Sequence, residues 1–108
     1  MKYEVILTNE ADENVRAAVG WYADRSQEAA DRWYFGLLDA FKSLEQNPER
    51  CPKSNESSRF PIELKQLLYG SGRRTTHRII FTIRPKLVVI YAVRHVAQSD
   101  LNPDELNR

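Results

Sequence analysis

The chain has 108 residues, a formal net charge of +1 and one cysteine. That length supports one hydrophobic core without disulfides, a lone cysteine excludes an internal bridge, and no Cys/His spacing suggests a metal site. No apolar run approaches the roughly 20 residues of a membrane helix, and the start, MKYEVILTN, is too short and too polar in its flanks for a signal peptide. The expectation is one soluble, cytoplasmic domain over 1–108 with a polar tail at 96–108, and no cofactor, metal or membrane partner.

The near-neutral total hides a strong asymmetry. Arg59, Lys65, Arg73, Arg74, Arg78, Arg84, Lys86 and Arg94 face a single acid, Glu63, between positions 59 and 95, whereas both flanks are net acidic. A basic block of this kind suits a polyanionic or acidic partner, or is a solvated face.

In chain order, residues 3–8 read as a short strand, with Tyr3, Val5 and Leu7 alternating with Glu4 and Ile6. Asn9 offers a cap, and Glu10, Asp12 and Glu13 suit the first turn of a helix over 10–24. Its stripe is Ala11, Val15, Ala18, Val19 and Tyr22. Ser26 caps a second helix over 27–46, whose 3/4-spaced positions are Ala30, Trp33, Tyr34, Leu37, Leu38, Phe41 and Leu44. Trp33, Tyr34 and Phe41 are assigned to the core by that spacing. Asn47-Pro48 stops the helix, because the residue before proline avoids the α region. The short join at Arg25-Ser26 implies an antiparallel helical hairpin.

Residues 48–61 form a loop long enough to suggest a functional or mobile segment. A strand over 64–69 follows, closed by Gly70-Ser71-Gly72. That glycine pair lacks the lysine and hydroxyl ending of a phosphate loop and reads as a turn. Residues 73–95 read as two long strands around an Arg84-Pro85-Lys86 turn. Ile79, Phe81 and Ile83 face the helices, while Arg78, Ile80, Thr82 and Arg84 take the other face, expected to be partly open. Residues 87–95 are almost continuously apolar, as in a central strand. Asn102-Pro103-Asp104-Glu105 carries the signals of a last short helix. The fold class is α+β, in the order β-α-α-β-β-β, with a helical hairpin on one face of a small, mostly antiparallel sheet.

This ordered set resembles the RelE/ParE superfamily of bacterial type II toxins. The matching segments are YEVILT with the following Ala11, the helical hairpin with its NPERCP exit, QLLYG, HRIIFTI and VVIYAVRH. His77-Arg78-Ile79 matches the histidine- or tyrosine-Arg-aliphatic start of a strand in relatives, and Val93-Arg94-His95 matches the valine-x-His end of the last one. The resemblance implies a growth-inhibiting toxin of the plasmid-stabilization kind, neutralised by and assembled with a cognate antitoxin. Some members cut messenger RNA on the ribosome; others, like ParE, bind DNA gyrase without being nucleases.

RNA cleavage through a 2′-OH needs a base, an acid and cations on the phosphate. Arg78, Arg94 and His95 are the candidate catalytic set, with His77 and Arg73 behind them. An enzyme built on them would be a metal-independent endoribonuclease. No second strong proton-transfer group follows His95, and Val96-Ala97-Gln98 lacks the arginine that many relatives carry there. The same residues have plain structural readings: His95 hydrogen-bonding a nearby carbonyl, and Arg78 paired with Glu63 or a helix acid. The missing set, the long helical hairpin and YGSGRRTTHRI point to the ParE-like branch. The alternatives are a RelE-like ribonuclease and an inactive toxin-fold binding module. Arg73, Arg74, Arg78 and Arg84 are the candidate surface for antitoxin or target.

Overall fold

The structure is a computed structural model and describes residues 2–103. Its elements are β1 (Glu4–Leu7), α1 (Asn9–Ala23), α2 (Gln27–Ser43), β2 (Lys65–Tyr69), β3 (His77–Arg84) and β4 (Leu87–His95). The sheet order is β1-β4-β3-β2. β3 pairs antiparallel with β2 and β4, and β1 lies parallel to β4. The helical hairpin carries the chain from one sheet edge to the other, and β2, β3 and β4 lead back to β1. This is the expected α+β class and order.

Local chemistry sets the boundaries. Thr8, rather than Asn9, caps α1: its hydroxyl accepts the Ala11 N–H at 3.1 Å, so Asn9 is already helical. Ser26 caps α2 as expected, accepting the Ala29 N–H. α2 stops at Ser43, short of the expected Gln46, and Asn47 takes a left-handed conformation (φ 49°) before Pro48. Asparagine tolerates that region better than most residues. In the β3–β4 turn Pro85 takes the first corner and Lys86 the second, at φ 63°, as in a type II turn.

The main core lies between the helices and one sheet face. Trp33, Leu37 and Phe41 of α2, with Ala11 and Val15 of α1, pack on Ile79, Phe81, Val88, Ile90 and Val93. Phe81 is fully buried there, as the alternation of β3 requires. β4 is the central strand its apolar run indicated. Tyr34 and Leu38 depart from expectation: they sit at 37% and 40% exposure, beside the still more exposed Phe35. The buried stripe of α2 is narrower than the apolar stripe of its sequence, because helix and sheet meet along the Ala30, Trp33, Leu37 and Phe41 line. Gly36 permits that approach, since a Cβ there would collide with the Tyr69 hydroxyl, which donates to the Trp33 carbonyl at 2.6 Å.

The second face is not open. Residues 48–64 fold across it with two 3-10 turns (Pro48–Arg50 and Asn55–Arg59), and a smaller core of Leu64, Ile80, Ala92 and Leu101 forms there. The long loop is thus a packed covering layer. The expected last helix starts at Asn102-Pro103 but its Asp104 and Glu105 lie outside the described residues.

Candidate functional site

β3 and β4 place the sequence candidates on two adjacent rungs of one ladder, His77 opposite His95 and Arg78 opposite Arg94. Adjacent rungs point to opposite faces of a sheet. The histidines therefore lie on the helix side and the two arginines on the covered side, so Arg78, Arg94 and His95 do not converge on a common point.

On the helix side, His77 is buried. Its ring sits edge-on to Trp33 (5.0 Å between centroids) and to His95 (5.2 Å), and its Nδ1 lies 2.8 Å from the Thr76 hydroxyl. Loss of solvent, aided by the neighbouring His95, lowers its pKa to about 4, so the ring is neutral near pH 7. Trp33 also stacks on Tyr22 and meets Tyr69 edge-on. His95 is exposed at the strand end. Its Nδ1 accepts the Ala97 N–H at 3.0 Å, which puts the proton of the neutral ring on Nε2. Its bond is to a following amide, not to a carbonyl. The two histidines, with Asn14, Ala17, Ala18, Trp21, Tyr22, Val93 and Gln98, line a cleft of about 430 Å³ between α1 and the end of β4. Sequence periodicity gave no sign of Asn14 or Gln98, because their role depends on where α1 and the tail cross β4.

On the covered side, Arg78 is held by Glu56, not by Glu63 or a helix acid. Its two terminal nitrogens donate to the two carboxylate oxygens at 3.0 and 2.6 Å, and one also reaches Gln66 Oε1. Asp100 approaches at 3.8 Å. Glu56, fully buried, also accepts the Leu101 N–H at 2.9 Å. Burial would raise the Glu56 carboxyl, but Arg78 and the Leu101 amide outweigh it and hold the pKa at about 2. Arg94 is also buried, and its Nε and a terminal nitrogen donate to the Ser99 carbonyl at 3.0 and 2.8 Å. Both guanidinium groups thus fasten the segment around residues 99–101 to the sheet. Sequence reading missed Glu56, a lone acid in a long loop.

The basic block is dispersed. Arg73 and Arg74 are exposed in the β2–β3 connection, beside the histidine end of the sheet. Arg84 and Lys86 are exposed at the other end of β3, about 23 Å away at roughly 3.3 Å per residue. Lys65 and Arg59 pair with Glu63 and Asp100. Among the described residues no cluster of three His, Cys, Asp or Glu side chains could hold a metal ion, and no helix is long and apolar enough to cross a membrane.

A two-helix hairpin over a four-stranded mixed sheet, closed by a strand ending in an exposed histidine, is the architecture the toxin resemblance implied. The profile of a family described as "ParE toxin of type II toxin-antitoxin system, parDE" matches residues 5–99, and the chain belongs to that family. Among solved structures, a chain described as the chromosomal ParDE TA system from P. aeruginosa is similar with a TM-score of 0.68. It is 18% identical, and the match covers 88% of this chain and 97% of that one. At that identity the likeness shows the shared fold. A search of curated proteins finds no match.

Proposed function

We propose that this chain is a toxin that acts by binding rather than by cutting RNA, arresting growth through a cytoplasmic target such as DNA gyrase, and that a cognate antitoxin holds it inactive in a complex. The observation that carries this reading is the fate of the arginines. A ribonuclease needs cations free to meet a crowded phosphate. Arg78 is instead closed in a bidentate pair with a buried carboxylate, and Arg94 is turned toward Ser99. His95 stands on the other face without a cation from its own or the neighbouring rung. Membership of the ParE family and the protein described as a ParDE system favour the same branch and an antitoxin partner.

Arg73 and Arg74 form the exposed basic patch best placed to draw an acidic partner toward the histidine end; Arg84 marks a separate patch. The test is controlled expression with and without the neighbour-encoded protein. Growth arrest relieved by that neighbour, with a DNA-damage response, intact transcripts and inhibited supercoiling by purified gyrase, supports the reading. Ribosome-dependent transcript cleavage lost in His95→Ala would replace it with the RelE-like reading.

A further inference from the structure

Helix α2 buries one face and leaves the opposite face bare. Ala30, Trp33, Leu37 and Phe41 point inward. On the outward face the positions 31, 35, 38 and 42 follow at steps of four, three and four, the spacing of a seam between two helices. They hold Asp31, Phe35, Leu38 and Lys42. Phe35 is 62% exposed and Leu38 40%, and the Tyr34 ring flanks them at 5.7 Å from that of Phe35. Three large apolar side chains side by side on an exposed helix mark an interaction surface rather than a scattered residue.

The charges at its two ends say what covers it. Asp31 lies one turn before Phe35 and Lys42 one turn after Leu38, and both are exposed. Asp31 accepts a bond from Gln27, but among the described residues neither Asp31 nor Lys42 has an ion-pair partner in its own chain. A uniformly acidic or basic partner would be drawn to one end of the seam and repelled at the other. A second copy of the same helix, run antiparallel about a two-fold axis between Phe35 and Leu38, satisfies both ends at once. Phe35 then meets the partner's Leu38, and Asp31 meets the partner's Lys42, each contact occurring twice. Arg32, on the flank of the seam, comes opposite the partner's Asp39 in the same pairing. A parallel pairing would instead set acid on acid and lysine on lysine.

We propose that the outward seam of α2 is a self-association surface, through which two copies of this chain form a two-fold symmetric dimer with their α2 helices antiparallel. The proposal does not rest on the toxin reading. The contact is a single helix pair, about 25 Å long at roughly 1.5 Å per residue. That is at the small end of specific interfaces, so the dimer is weak, with a dissociation constant in the micromolar range.

The test is sedimentation equilibrium of the full-length chain from micromolar to millimolar concentration. The expected result is a reversible monomer–dimer equilibrium that Phe35→Lys abolishes. Asp31→Lys and Lys42→Asp should each weaken self-association by roughly tenfold or more, since each turns two attractions into two repulsions. Mixed in equal amounts, the two charge variants should associate again, because each presents the charge the other lacks. All three positions are exposed, so circular dichroism should match the parent, which separates loss of the dimer from loss of the fold. A chain that stays monomeric throughout, a dimer indifferent to Phe35→Lys, or charge variants that mixing does not restore would each overturn the proposal. A monomeric chain that binds the neighbour-encoded protein through Phe35 would assign this face to that partner and overturn it as well. Because one purified chain is used, the outcome is independent of whether the chain arrests growth.

Discussion

Glu56 and Arg78 lie 22 positions apart in sequence and form a closed two-pronged ion pair beneath the 99–101 segment, with the Leu101 amide on the same carboxylate. Removing one partner strands a buried charge. Arg78→Ala is therefore expected to cost about 3–5 kcal/mol, and replacing both by apolar residues of similar volume should cost much less. Denaturant unfolding of the single and double variants checks this, and hydrogen exchange should show the Leu101 amide opening in Arg78→Ala. A loss below 1 kcal/mol in the single variant would mean that the clasp is not what holds the covering layer.

Two of the buried groups, His77 and Glu56, act in successive pH windows on the acid side. His77 has a folded pKa of about 4, below its ordinary value of about 6.5. The unfolded chain binds the proton more readily, so stability from the neutral ring is complete above pH 6.5 and is lost as pH falls toward 4. The expected loss between pH 7.5 and pH 5 is about 2 kcal/mol, and it should vanish in His77→Phe, read by thermal unfolding against pH. Glu56, at about 2 in the folded chain, adds its own loss only below about pH 4.5.

Phe81 is fully buried against the helical hairpin. Phe81→Ala should destabilise by roughly 3–5 kcal/mol through the cavity it leaves. The measurement is equilibrium unfolding, and an unchanged denaturant slope would show that the fold itself is kept.

Gly36→Ala tests the contact between α2 and β2. Alanine favours a helix over glycine by roughly 1 kcal/mol in open positions. Here the new Cβ meets the Tyr69 hydroxyl and threatens its bond to the Trp33 carbonyl, so net destabilisation is expected. A more stable variant would show that Tyr69 yields without penalty.

The exposed arginines predict kinetics with the neighbour-encoded partner. Arg73→Glu with Arg74→Glu should slow association and flatten its salt dependence, with dissociation less changed. Arg84→Glu, at the far end of β3, should affect association independently. Rates measured by stopped flow across ionic strength decide this. A parent rate indifferent to salt would remove the electrostatic part of the partner reading.

The order of elements was written in the sequence because it depends on local signals. The Ser26 cap and the Pro85 turn each act within a few residues, although α2 ends at Ser43, ahead of the expected Asn47-Pro48 stop. The alternation of Ile79, Phe81 and Ile83 against Arg78, Ile80 and Thr82 assigned the two faces of β3, since a strand places successive side chains on opposite sides whatever surrounds it. The same alternation already separated Arg78 and Arg94 from His95 once the register was known. The rest depended on contacts across the chain. Whether Tyr34 and Leu38 were core depended on how closely Gly36 lets α2 approach Tyr69. Whether Arg78 was a free cation depended on Glu56, in a loop with no periodicity to read. The cleft beside β4 arises where β1 ends and α1 crosses over, a relation between segments 79 positions apart in the Asn14–Val93 bond. Local propensity fixes what each segment becomes, but which charges are neutralised and which faces are left uncovered is decided only when distant segments are packed together.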